Sequence, residues 1–135
     1  MAETIQLEIV TPEKLVVNTV VSEVQIPGKE GYLGILPGHA PLITEIKVGE
    51  ITYRSGSEQK RLSVSWGFAE VLPEKVTILA TTAERAEEID VARAQSAKQR
   101  AEEELRKAGV GGNAEAEDAR KRAETRLDVA AKAGS

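Results

Sequence analysis

Four arginines in the last third of the chain, Arg93, Arg100, Arg122 and Arg126, are the residues whose type and spacing point to chemistry. A guanidinium is planar and permanently charged, and its fork of donors matches phosphate oxygens. The local wording repeats, with RAEEEL at 100–105 and RAETRL at 122–127. If the two copies are antiparallel helices joined near Gly111, residues equally far from the turn face each other. Arg100 then lies near Arg122, and Arg126 near the level of Arg93 to Ala97. Like charges this close repel unless an anion sits among them or each is neutralised by a neighbour. Two readings stay open. A polyanion such as a nucleotide binds the cluster and stabilises the closed pair of helices. Alternatively, carboxylates at helical spacing neutralise the arginines, Asp90 with Arg93, Glu104 with Arg100 and Asp118 with Arg122.

No other constellation competes. With no cysteine in 135 residues, disulfides, thiolate nucleophiles and zinc-thiolate sites are excluded. The single histidine, His39 in LPGHAPL, has neither a metal partner nor a nucleophile beside it and reads as a turn residue. GKEGYLG at 28–34 lacks the spacing of a phosphate loop and reads as a hairpin. The sequence thus offers no catalytic set and no metal site. A net charge of -4 argues against a general nucleic-acid binder. No apolar run approaches the roughly 20 residues of a membrane span, and the N-terminus lacks a signal-peptide pattern. The expected location is therefore cytoplasmic, with any membrane reached through a partner.

The elements that must position the arginines divide the chain. Composition shifts near residue 82, from Val, Ile and turn residues to Ala, Glu, Arg and Lys. The expected parts are 1–84 and 85–135. In the first, period-two runs such as Ile5, Leu7 and Ile9 alternate with polar residues, and Pro–Gly turns separate them. Many short strands at this spacing predict an all-β sandwich. Trp66 and Phe68 are expected in its core, beside a bend at Gly67.

In the second part, Ala94, Ala97, Ala101, Leu105 and Ala108 are spaced for one face of a helix. Ala116, Ala119, Ala123, Leu127 and Ala130 repeat that spacing 22 residues on. GVGGN between the stripes supplies a glycine stop and an Asn113 cap. The prediction is an antiparallel two-helix hairpin with an alanine seam, giving an α+β protein in two parts. The ten seam positions offer on the order of 10 kcal/mol of burial. Ordering the backbone costs about 1–2 kcal/mol per residue, so the hairpin is marginal alone. It either opens, or rests on the sandwich through Ile89, Val91 and Leu105.

Three longer stretches carry a resemblance. GYLGILPGHAPLITEIKVGEI (31–51), GFAEV (67–71) and KVTILATTAERAEEID (75–90) resemble the epsilon subunit of bacterial F-type ATP synthase, with GILPGHAPL as the specific signature. The order, spacing and length agree over essentially the whole chain. The resemblance implies a sandwich of about ten strands and two C-terminal helices. It implies a non-catalytic subunit of the central rotor stalk, peripheral on the cytoplasmic face of the bacterial inner membrane. The sandwich would bind the gamma subunit and the ring of c subunits, with the loop of Lys29, Glu30, Gly31 and Tyr32 towards that ring. The helices would permit ATP hydrolysis when folded, and inhibit it when extended along gamma to the alpha and beta subunits. Some members bind ATP on the folded hairpin, through a motif similar to IDVARA at 89–94. That match carries Glu84, Asp90, Arg93, Ala94, Arg100, Arg122 and Arg126 to an ATP site, with the role of magnesium left open. A stand-alone nucleotide-sensing module is the competing expectation, and it predicts ATP binding without a stable gamma complex.

Overall fold

The computed structural model describes residues 3–133. Eight strands precede the helices: β1 (Ile5–Val10), β2 (Leu15–Val21), β3 (Glu23–Gly28), β4 (Gly31–Ile35), β5 (Leu42–Ile46), β6 (Gly49–Ser55), β7 (Glu58–Val71) and β8 (Lys75–Arg85). They form one hydrogen-bonded network in the order β2-β1-β8-β7-β5-β3-β4, with β6 between β3 and β7. β1 and β8 pair in parallel and the other pairs are antiparallel. β5 and β6 lie end to end along β7, opposite its second and first halves respectively. At the break between them the network folds over. All eight strands consequently send side chains into one aliphatic core, which makes the two layers of a sandwich. The count is eight where the resemblance suggests about ten, because β7 and β8 each continue through the fold-over as single strands.

Trp66 and Phe68 are corrected by the same feature. Before the bend, the even positions Leu62 and Val64 of β7 face the core; after it, the odd positions Ala69 and Val71 do. Trp66 makes the switch by adopting a φ of 42°. Continued parity predicts Trp66 and Phe68 inside, whereas they are 42% and 55% exposed. Gly67 allows the close approach at that point. A Cβ there would lie 1.8 Å from the Leu79 carbonyl oxygen.

The last strand ends at Arg85, a short 3-10 turn covers Ala86–Glu88, and α1 (Val91–Ala108) and α2 (Ala114–Ala131) follow. Asp90 caps α1 by accepting from the Arg93 N–H at 3.0 Å, and Asn113 caps α2 by accepting from the Ala116 N–H at 3.0 Å. Gly109 and Gly112 turn the chain between them with φ of 60° and 72°. The seam forms with Ala94, Ala101, Ala116 and Ala123 buried. Ala97, Leu105, Ala108, Ala119, Leu127 and Ala130 are half-buried.

The hairpin rests on the sandwich through α2, while the broad packing of α1 is with α2. Its apolar anchor is Ala86, Ile89 and Val129, flanked by Ala130. Of the expected anchors only Ile89 takes part. Val91 is exposed, and Leu105 is half-buried on the seam. The rest of the footprint is polar. The outward row across β6, β7 and β8 pairs Glu50 with Ser63 with Glu84, and Ser65 with Thr82. α2 lies against this face, and Ser63 and Ser65 are buried. Lys132 reaches Glu50 at 3.0 Å and Arg126 reaches Glu84 at 2.5 Å.

Partly exposed ion pairs contribute about 0–1 kcal/mol each, and a buried Val or Ile about 1.5–3 kcal/mol. The anchor therefore dominates. Val129→Ala should release the helices while the strands stay folded. Amide hydrogen exchange checks this: helix amides lose protection and the amides of β1, β7 and β8 keep theirs.

Candidate functional site

A cleft of about 560 Å³ separates the sandwich from α1. That volume lies in the range of small-molecule sites. One wall is the β1–β2 turn, with Thr11, Glu13 and Lys14, and the end of β8, with Thr82 and Glu84. The other is the start of α1, with Asp90, Arg93, Ala94, Ala97 and Arg100; Arg126 enters from α2. On α1 the 3–4 spacing of Arg93, Ala97 and Arg100 puts them on one face. The small Ala94 and Ala97 leave room between the arginines.

Six of the residues carried by the motif thus line one cleft: Glu84, Asp90, Arg93, Ala94, Arg100 and Arg126. Arg126 shares the cleft with Arg93 and Ala97, as the antiparallel geometry predicts. Arg122 is not on this lining. Its Nη2 lies 3.3 Å from Glu115 Oε1, two turns back on the same helix. The pairings expected to neutralise the arginines do not form. The Asp90 carboxylate caps the helix through the Arg93 N–H, and Glu104 pairs with Lys107. Among the described residues, no carboxylate is within 4.0 Å of the charged nitrogens of Arg93, Arg100 or Lys14. Arg126 is engaged by Glu84. Arg85 donates to the Val16 carbonyl at 2.6 Å and sits 3.5 Å from Glu88. The cleft therefore presents free cations around the positive N-terminal end of α1, a setting that favours an anion. Lys14 and Thr11 were not legible as site residues, since folding alone brings them beside a motif more than seventy residues away, and Thr82, seven residues before the motif, reads only as a strand position.

The remaining candidates lie elsewhere. Lys29 and Glu30 form the tip between β3 and β4, Gly31 opens β4, and Tyr32 is 61% exposed with its hydroxyl accepting from the Glu50 N–H at 2.9 Å. The His39 ring meets the Ala40 carbonyl at 2.7 Å, within its own turn. Outside the second half of β7, Phe68 and the nearby Ile43, Leu79 and Leu15 are each at least half exposed, beside the exposed Glu45 and Glu70. Among the described residues, no group of three or more His, Cys, Asp or Glu is placed to hold a metal ion. No described helix is long and apolar enough to cross a membrane.

Comparison with known proteins places both parts. Residues 4–86 match the β-sandwich domain of the ATP synthase delta/epsilon chain, and residues 87–131 match the long α-helix domain of the same chain. The ATP synthase epsilon chain of Koribacter versatilis is 67% identical over 109 residues, which span 81% of this chain and 77% of that one. That of Solibacter usitatus is 47% identical over 133 residues, 98% of this chain and 99% of that one. A chain of the Euglena gracilis mitochondrial ATP synthase shares the fold, with a TM-score of 0.82 over 97% of this chain and 83% of that one at 23% identity. With both parts matched in order and a relative this similar along its full length, the chain belongs to the epsilon chains of the ATP synthase delta/epsilon family.

Proposed function

We propose that the chain is a non-catalytic subunit of the central rotor stalk of a proton-translocating F-type ATP synthase. In this reading it is peripheral on the cytoplasmic face of the bacterial inner membrane and couples rotation of the c ring to the catalytic head. Its hairpin is a movable arm that regulates ATP hydrolysis and binds ATP when folded. The observation that carries the regulatory part is the cleft, where Arg93 and Arg100 of one helix, with no carboxylate in ion-pairing reach among the described residues, share a lining with Arg126 of the other, which Glu84 engages. ATP bound there adds contacts that exist only in the folded form, and so shifts the arm towards it. The weak anchor supports mobility. Once released, the alanine stripe is free to pack on the gamma, alpha and beta subunits.

The two outer faces of the sandwich support the assembly. The first half of β7 is polar outside and covered by the chain's own helix; the second is uncovered and carries a patch of exposed Phe68, Leu79 and Ile43 beside Glu70. An apolar patch of this kind marks a protein interface, and gamma is the proposed occupant. The turn at Lys29, Glu30, Gly31 and Tyr32 is the proposed contact with the c ring.

The test is calorimetric titration of the isolated chain with ATP, joined to co-purification with gamma. ATP binding with a stable gamma complex supports the whole reading. Binding without gamma would favour a stand-alone sensor, and a gamma complex without ATP binding would leave a mechanical arm. Phe68→Asp should weaken the gamma complex at least about 10-fold, the scale of a lost interface anchor, with the melting temperature of the isolated chain nearly unchanged.

A further inference from the structure

The cleft has a wall that the helices do not supply. The β1–β2 turn carries Lys14 to its edge, and that turn is braced. The Thr11 N–H donates to the Lys14 carbonyl at 2.9 Å, and the Lys14 N–H donates to Thr11 Oγ1 at 3.3 Å. Pro12 fixes a further backbone angle inside it. The backbone of Lys14 is thereby held in place, while its ammonium has no carboxylate within ion-pairing reach among the described residues. Free cations thus stand on both bodies, Lys14 on the sandwich and Arg93 and Arg100 on α1.

We infer that Lys14 is a binding residue for the phosphate chain of the ligand, so that the ligand joins α1 directly to the sandwich. The inference rests on the nucleotide reading above and adds to it a contact that spans the two parts. α1 reaches the sandwich mainly by way of α2. An anion held by Lys14 supplies the missing link, and ligand binding becomes a closure of the cleft instead of a stiffening of the hairpin alone.

The experiment uses the full chain, titrated by calorimetry with ATP and with inorganic tripolyphosphate, as wild type, Lys14→Ala, Lys14→Arg and Arg126→Ala. Lys14→Ala should weaken both ligands about 10-fold, the scale of one charge-assisted contact. Lys14→Arg should recover most of the loss. ATP should slow amide exchange across residues 11–16 in wild type but not in Lys14→Ala. If Lys14→Ala binds both ligands as wild type does while Arg126→Ala does not, the inference is overturned and the nucleotide reading stands. Lys14-dependent binding of tripolyphosphate without binding of ATP would uphold the inference and sink that reading. If wild type binds neither, both are wrong.

Discussion

Alanine at position 67 is expected to leave the sandwich unable to close. The added Cβ would sit 1.8 Å from the Leu79 carbonyl oxygen and 2.8 Å from its carbon, and both are backbone atoms of the neighbouring strand. No side-chain rotation relieves such a clash. β7 and β8 must move apart where the parity of β7 reverses and where both strands pass from one layer to the other. The cost belongs to the exceptional class of about 4 kcal/mol or more, a fall of roughly 15 °C in melting temperature for a domain of this size. Gly34→Ala is the control: an added Cβ there meets nothing within 4 Å, so its effect should be small. Circular dichroism melts of the two variants decide the matter. Equal melting temperatures would mean that the approach of β7 to β8 is not what Gly67 provides.

Arg126→Ala should have the largest effect on ligand binding. Arg126 is the one residue of α2 on the cleft, and its Nε lies 2.5 Å from Glu84 Oε1 on β8. Removing it takes away the only contact by which a ligand in the cleft holds both helices. A hydrogen bond to a charged group contributes about 1.5–3 kcal/mol, so ATP affinity should fall roughly 10- to 100-fold. A tenfold loss also removes about 1.4 kcal/mol of ligand-dependent stabilisation of the folded arm. Arg126→Lys should not rescue fully, because a point charge replaces a planar fork. Without ligand, Arg126→Ala should loosen the arm only slightly, since the lost ion pair is partly exposed and the Ile89–Val129 anchor remains. Calorimetry and amide exchange separate the two effects. An unchanged ATP affinity would remove α2 from the site.

What the sequence revealed follows from how locally each feature is encoded. The alanine stripes need only the helical period, and all ten positions are buried or half-buried in the seam. The strands needed only alternation, as in β1, until a single residue with positive φ reversed the parity of β7 and put Trp66 and Phe68 outside. Val129 lies two positions beyond Leu127 and off the stripe, so periodicity passed over the residue that anchors the hairpin. The arginine cluster was legible as chemistry from spacing alone. Its companions Glu84 and Asp90 came from the motif, and Lys14 comes from folding. Arg122 shares the period of its neighbours, yet it is off the cleft lining and pairs with Glu115.

The row of Glu50, Ser63, Glu84, Ser65 and Thr82 beneath α2 has a consequence for solubility. A helix that never leaves its seat can cover leucines, and tearing it off would bare a greasy surface prone to clumping. Departure of the proposed movable arm would instead bare hydroxyls and carboxylates, which water takes up at once, and of the apolar anchor it would leave Ala86 and Ile89 uncovered. The strands under such an arm could be wetted and dried repeatedly without sticking to other molecules. If the arm moves as proposed, the bared state would be a second resting state of the molecule and not a step towards aggregation.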